Sequence, residues 1–68
     1  MSANNERWYQ DAMNILRTEK TYHETVYVYK QYQRDIIENE CAIEDIRITI
    51  TEVYDKGELD YYSIRRNQ

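Results

Sequence analysis

Ile46-Arg47-Ile48-Thr49-Ile50-Thr51-Glu52-Val53-Tyr54-Asp55, followed by Lys56-Gly57 and then Glu58-Leu59-Asp60-Tyr61-Tyr62-Ser63-Ile64-Arg65, is the stretch on which the fold turns. Two periods compete in it. Ile46, Ile48 and Ile50 alternate with Arg47, Thr49 and Thr51, the period-two pattern of a strand, and Asp55-Lys56-Gly57-Glu58 is then a hairpin turn. Counting in sevens gives the other reading. One column holds Trp8, Ile15, Tyr22, Tyr29, Ile36, Ile43 and Ile50, apolar throughout. The column three residues later ends in Tyr32, Asn39, Ile46 and Val53. From Tyr29 to Val53 this is an a/d heptad seam of the kind one helix presents to another, with Asn39 as a polar, register-setting position. Gly57 is then a helix C-cap, and Lys56 meets the negative end of the dipole.

The flanking sequence favours the helical period. There is no proline, and Gly57 is the only glycine, so the two strongest punctuators of secondary structure are missing over 56 positions. Trp8, Ala12 and Ile15, with Tyr9, Met13 and Leu16, recur at steps of three and four, which predicts a helix over about 5–20. Asn4 or Asn5 suits its N-cap and Glu6 its dipole. Thr21-Tyr22-His23-Glu24 matches a capping box and starts a second helix over about 22–56, leaving 57–68 as a tail. Only Val26-Tyr27-Val28-Tyr29 reads locally as strand. The expectation is therefore an all-α single domain: a helical hairpin, or one long amphipathic helix, pairing as a coiled-coil-like bundle. The alternative is α+β, two helices with a C-terminal β-hairpin at 46–65.

With 68 residues the chain buries only about 60% of the surface it exposes when unfolded, so a self-sufficient core is marginal. Eight tyrosines and no phenylalanine make the apolar content amphipathic. These facts favour self-association, a homodimer or higher homo-oligomer, through Tyr29, Tyr32, Ile36, Asn39, Ile43, Ile46, Ile50 and Val53. A net charge of −4 with scattered cations argues against direct nucleic-acid binding, which needs a basic stripe. It suits a basic protein partner, or simply solubility. A single cysteine, Cys41, excludes an intramolecular disulfide framework. No run approaches the roughly 18 apolar residues of a membrane span. The polar Met1–Glu6 start is unlike a targeting peptide, so the expected compartment is cytoplasm, a cell's own or a host's.

Catalytic constellations are lacking. Glu19 and His23 lie four apart, but a zinc site wants a third and fourth ligand, and Cys41 is 18 residues further on. Ser2 and Ser63 near the ends share one histidine, which defeats a serine triad. No glycine-rich phosphate loop exists. Neither an enzyme nor a cofactor or metal site is expected.

Two candidate contact surfaces remain. Glu24, Glu38, Asp45 and Glu52 fall in one heptad column, which on a helix spaces carboxylates roughly 10 Å apart and imitates a line of phosphates. Solvation of an outer helix face accounts for the same pattern. Tyr27, Tyr61 and Tyr62 fall outside the seam and are the expected partner contacts, since tyrosine is enriched at interface hot spots. The leading expectation is thus a small acidic regulator, an inhibitor that docks on a larger protein. A structural oligomerisation module and a DNA mimic acting through Glu38, Asp45 and Glu52 are the alternatives. As a type, such a chain resembles the small inhibitory proteins of phages and mobile elements.

Overall fold

The computed structural model describes residues 6–18 and 24–67. The elements run α1 (Arg7–Arg17), β1 (Thr25–Val28), α2 (Gln31–Ile43), β2 (Ile48–Asp55) and β3 (Glu58–Arg66). The protein is α+β, two helices and a three-stranded antiparallel sheet, and the expected all-α, coiled-coil architecture is wrong. The strand reading of 46–65 is the correct one. Asn4, Asn5 and the capping box at Thr21–His23 lie outside the described residues.

The expected helix over 22–56 is broken twice. At its start the β-branched Val26 and Val28 take extended backbone and bury their side chains, the environment that suits them best. Strand gives way to helix at Lys30, where the side-chain carbonyl of Gln33 accepts the backbone N–H groups of Tyr29 and Lys30, both at 3.2 Å. The second break follows Ile43. The Ile46 N–H donates to the Cys41 carbonyl at 2.8 Å, and the Asp45 N–H to the Ala42 carbonyl at 3.3 Å. Those two bonds, with Asp45 at φ 59°, make a Schellman motif. Aspartate tolerates the left-handed region better than most residues, so the helix stops without glycine or proline.

In the hairpin Lys56 and Gly57 both have positive φ, 53° and 83°. That is the two-residue primed turn, whose twist matches the strands it joins. Asp55 pairs with Glu58 and Tyr54 with Leu59, but Val53 pairs with Tyr61. Asp60 is thus an extra residue, a bulge in β3 near the tip. The strand order is β1-β3-β2, with Ile64 opposite both Val26 and Ile50. Since β3 is antiparallel to both neighbours, β1 and β2 run parallel and α2 connects them.

Both helices pack on one face of the sheet. The core is Tyr9, Ala12, Met13 and Leu16 of α1, Ile37 and Cys41 of α2, Val26 and Val28 of β1, and Tyr62 and Ile64 of β3. The helical spacing expected over 5–20 is borne out across Arg7–Arg17, with Glu6 rather than an asparagine at the N-cap. The Glu6 carboxylate accepts the Trp8 indole N–H. The helices are tied by Arg17, whose Nε and Nη2 donate to the two oxygens of Glu44 at 2.8 and 2.5 Å. This bidentate pair holds the Glu44 carboxyl below its ordinary range. Arg66 Nη1 donates to the Leu16 carbonyl at 2.6 Å, capping α1 from the end of β3.

Candidate partner-binding face

Helices cover the inner face of the sheet, and among the described residues no element packs on the other. Alternation places Val26, Val28, Ile48, Ile50, Tyr62 and Ile64 inward, where they are buried or partly buried against the helices. Outward stand Thr25 and Tyr27 on β1, Arg65, Ser63 and Tyr61 on β3, and Thr49, Thr51 and Val53 on β2. Arg47 and Asn67 extend that row, joined by a backbone bond from the Asn67 N–H to the Arg47 carbonyl at 2.8 Å.

Three tyrosines meet at one end of this face. The Tyr27 and Tyr61 rings pack edge to face with centroids 5.5 Å apart, and the Tyr29 ring lies tilted 6.1 Å from Tyr61. Tyr27 is 55% and Tyr29 65% exposed, so the cluster is offered to solvent. Cross-strand aromatic packing holds the rings against one another and restricts their rotamers.

Charge is sorted across the molecule. In the body of the open face, from Arg47 to Val53, from Tyr61 to Asn67 and from Thr25 to Tyr29, every outward position is Tyr, Val, Thr, Ser, Asn or Arg. None is a carboxylate, although the chain carries thirteen. Asp55, Glu58 and Asp60 are confined to the hairpin tip. Ion pairs among the described residues lie on the helices and the turn after α2: Arg7 with Asp11, Arg17 with Glu40 and Glu44, Arg34 with Asp35. Arg47 and Arg65 take no part in them and are exposed.

The tyrosines singled out in the sequence divide. Tyr27 and Tyr61 come together on the open face, whereas Tyr62 is 3% exposed and in the core, so it is no surface contact. The Arg34 guanidinium sits 5.4 Å from the Tyr62 ring centroid, closing the core on that side. The expected acidic row does not form, because its members no longer share a helix. Glu38 is on α2, Asp45 in the Schellman turn and Glu52 on β2. Glu38 and Glu52 do line one groove with Arg34, Ile48 and Ile50, about 610 Å³ in volume. At the other edge a groove of about 320 Å³ runs between α1 and β1, lined by Trp8, Ala12, Ile15 and Tyr29 among others.

The seam residues are likewise dispersed, since no continuous helix carries them. Tyr29 joins the tyrosine cluster, Tyr32 packs edge-on to Trp8, and Ile36, Ile46 and Ile50 lie partly buried against the core. Val53 is half-buried on the open face, Asn39 is exposed, and Ile43 stands 70% exposed. Cys41 packs as a small buried hydrophobe: it is 1% exposed, and burial pushes its thiol up to about 11. His23 lies outside the described residues. Among the described residues no group of three or more His, Cys, Asp or Glu is placed to hold a metal. No helix among them is long and apolar enough to cross a membrane.

Arg47 and Arg65 are the surface residues that sequence reasoning missed, and Tyr29, expected in a helical seam, stands instead beside Tyr61. The strand reading of 46–65 places Arg47, Thr49 and Thr51 on one side and so identifies part of the face, but the pairing of β1 beside β3 is invisible without the tertiary structure.

The arrangement defines a two-layer α+β domain with one tyrosine-bearing sheet face left open. Comparison with protein-family models, with curated proteins and with solved structures gives no match.

Proposed function

We propose that this protein is a non-enzymatic docking module that binds, and thereby inhibits, a larger protein, using the open face of its sheet. One observation carries the reading: the face joins exposed Tyr27 and Tyr29, clustered on half-buried Tyr61, to two arginines unengaged in ion pairs, and its body holds no outward carboxylate. Interface cores are enriched in Tyr and Arg and depleted in Asp, Glu and Lys; the tyrosine and arginine ends of this face follow that pattern, while Thr25, Thr49, Thr51 and Ser63 between them are ordinary surface residues. The face is eight and nine residues long on β2 and β3 but only four on β1, a footprint on the order of 300 Å², which places the contact at the small, transient end of protein interfaces.

The test is a pull-down from cell lysate with the full chain against its Tyr27→Ala/Tyr61→Ala variant, read by mass spectrometry. A partner retained by the parent chain and lost by the variant supports the reading. Equal recovery by both refutes it, provided the variant keeps the parent's circular dichroism and melting temperature.

A second reading, self-association, rests on β2. It is an eight-residue edge strand with a groove behind it, and an unpaired edge is a template for a second copy. Sedimentation of a monomer at millimolar concentration disposes of it. A phosphate mimic loses its basis, since Glu38, Asp45 and Glu52 share no helix.

A further inference from the structure

The docking reading leaves the partner's chemistry open, and the placement of charge along the open face narrows it. Resting on that reading, we infer that the face takes an extended acidic peptide segment, with carboxylates over Arg47 and Arg65 and a large apolar side chain against the tyrosine cluster. This reverses the expectation drawn from net charge alone, which pointed to a basic partner. The net charge of −4 is a sum over the whole surface, whereas a docked segment meets only the part it covers.

The geometry gives the segment a spacing. Thr49 is opposite Arg65, and Arg47 is opposite Asn67, so the two arginines are diagonal neighbours on adjacent strands. Diagonal positions on one sheet face lie about 7–8 Å apart, within reach of one carboxylate or of two at i and i+2 of an extended segment. Tyr61 and Arg65 are four residues apart on the same strand, hence about 13 Å at 3.3 Å per residue. An extended peptide running along β3 spans that distance in four residues, and its side chains at i, i+2 and i+4 share one face. The matching segment therefore carries an acid four residues from an aromatic or a leucine, with a small or polar residue over Ser63. Bidentate pairing of guanidinium with carboxylate supplies direction as well as affinity.

A single strand of nucleic acid meets an obstacle on the same surface. Its bases would stack on the tyrosines, but this cluster adjoins the hairpin tip bearing Asp55, Glu58 and Asp60. The phosphates flanking a stacked base would fall beside those carboxylates. A second copy docked face to face with its strands running in the same direction would set like-charged arginines near one another.

The test is selection from a phage-displayed random 12-residue library on the full-length chain, counter-selected on the Tyr27→Ala/Tyr61→Ala variant. The strongest peptide is then measured by isothermal titration, with the oligonucleotide dT8 as a second probe. The proposal expects peptides enriched in Asp or Glu at i and in aromatic residues or leucine at i+4. Arg47→Glu/Arg65→Glu should weaken the best of them at least tenfold, and exchanging its acids for lysine should restore binding to that variant. Face-dependent peptides that are neutral or basic overturn the acidic assignment and leave the docking face standing. Tighter, tyrosine-dependent binding of dT8 overturns it in favour of nucleic acid. A library yielding no peptide that depends on Tyr27 and Tyr61 overturns the docking reading itself.

Discussion

Replacing Ile64 and Ile43 by alanine, one at a time, gives opposite results for the two architectures this sequence supports. Ile64 is 0% exposed, in the middle strand between Val26 and Ile50, while Ile43 is 70% exposed at the end of α2. Isoleucine to alanine deletes three carbons. At about 0.8 kcal/mol per buried methylene, Ile64→Ala loses about 2.4 kcal/mol of transfer free energy. An incompletely collapsed cavity adds about 1 kcal/mol, for a total near 3. At Ile43 no more than about a third of that transfer is at stake, and alanine's better helix propensity offsets about 0.4 kcal/mol of it, leaving a change under about 0.5. For a domain of this size 1 kcal/mol moves the melting temperature by about 7 °C. Ile64→Ala should therefore drop it by roughly 20 °C, and Ile43→Ala by no more than about 3 °C. Urea and thermal unfolding followed by circular dichroism read both. A domain of 68 residues has only about 3–10 kcal/mol in total, so Ile64→Val, costing about 1, keeps the comparison measurable if the alanine variant unfolds. A larger loss at Ile43 than at Ile64 would refute the packing described, because Ile43 is a seam residue only if 22–56 is one helix.

Cys41 gives a pH signature. Burial lifts its thiol from 9.0 in the unfolded chain to about 11 in the folded one, so between those values the unfolded state is the one that loses the proton. Its contribution is fully present below pH 9 and disappears as pH rises through 11, worth up to about 2–3 kcal/mol. Urea midpoints between pH 8 and 10.5 should fall, and Cys41→Ala should flatten that slope; an unchanged slope removes the thiol as its cause. In the hairpin, Lys56→Asn should raise stability by about 0.5–1 kcal/mol, since Lys56 bears φ 53° that asparagine tolerates better. Gly57→Val should lower it by about 1–2 kcal/mol from backbone strain alone, because nothing lies within 4 Å of where its Cβ would stand. Equal melting temperatures for the two variants would contradict the primed turn.

Some elements were legible from local rules. The spacing of Tyr9, Ala12, Met13 and Leu16 fixes which side of α1 is buried, since one turn of helix brings those positions to one face whatever they meet. Lys56-Gly57 between two alternating runs is a hairpin signal, because few dipeptides accept two consecutive positive φ angles and glycine is the least costly at the second. The heptad columns misled for an equally physical reason. Isoleucine is at home in helix and strand alike, and a count in sevens runs on across an element boundary, so Ile50 of β2 lines up in sequence with Ile36 and Ile43 of α2 without sharing their helix. The stop after Ile43 was illegible because it depends on Asp45 accepting a left-handed conformation, a cost repaid only when Ile46 docks against the core.

By itself the chain determined its acidity, its tyrosine-rich amphipathic character, the first helix and the turn at Gly57. These are properties of composition or of a few adjacent residues. Only the tertiary structure decided that β1 lies beside β3, which buries Tyr62, exposes Tyr27 and sets Arg47 and Arg65 on a face without carboxylates in its body. That pairing joins residues almost forty positions apart, and the free energy that selects it is the burial of Val26, Val28 and Ile64 under two helices, a quantity no local pattern records.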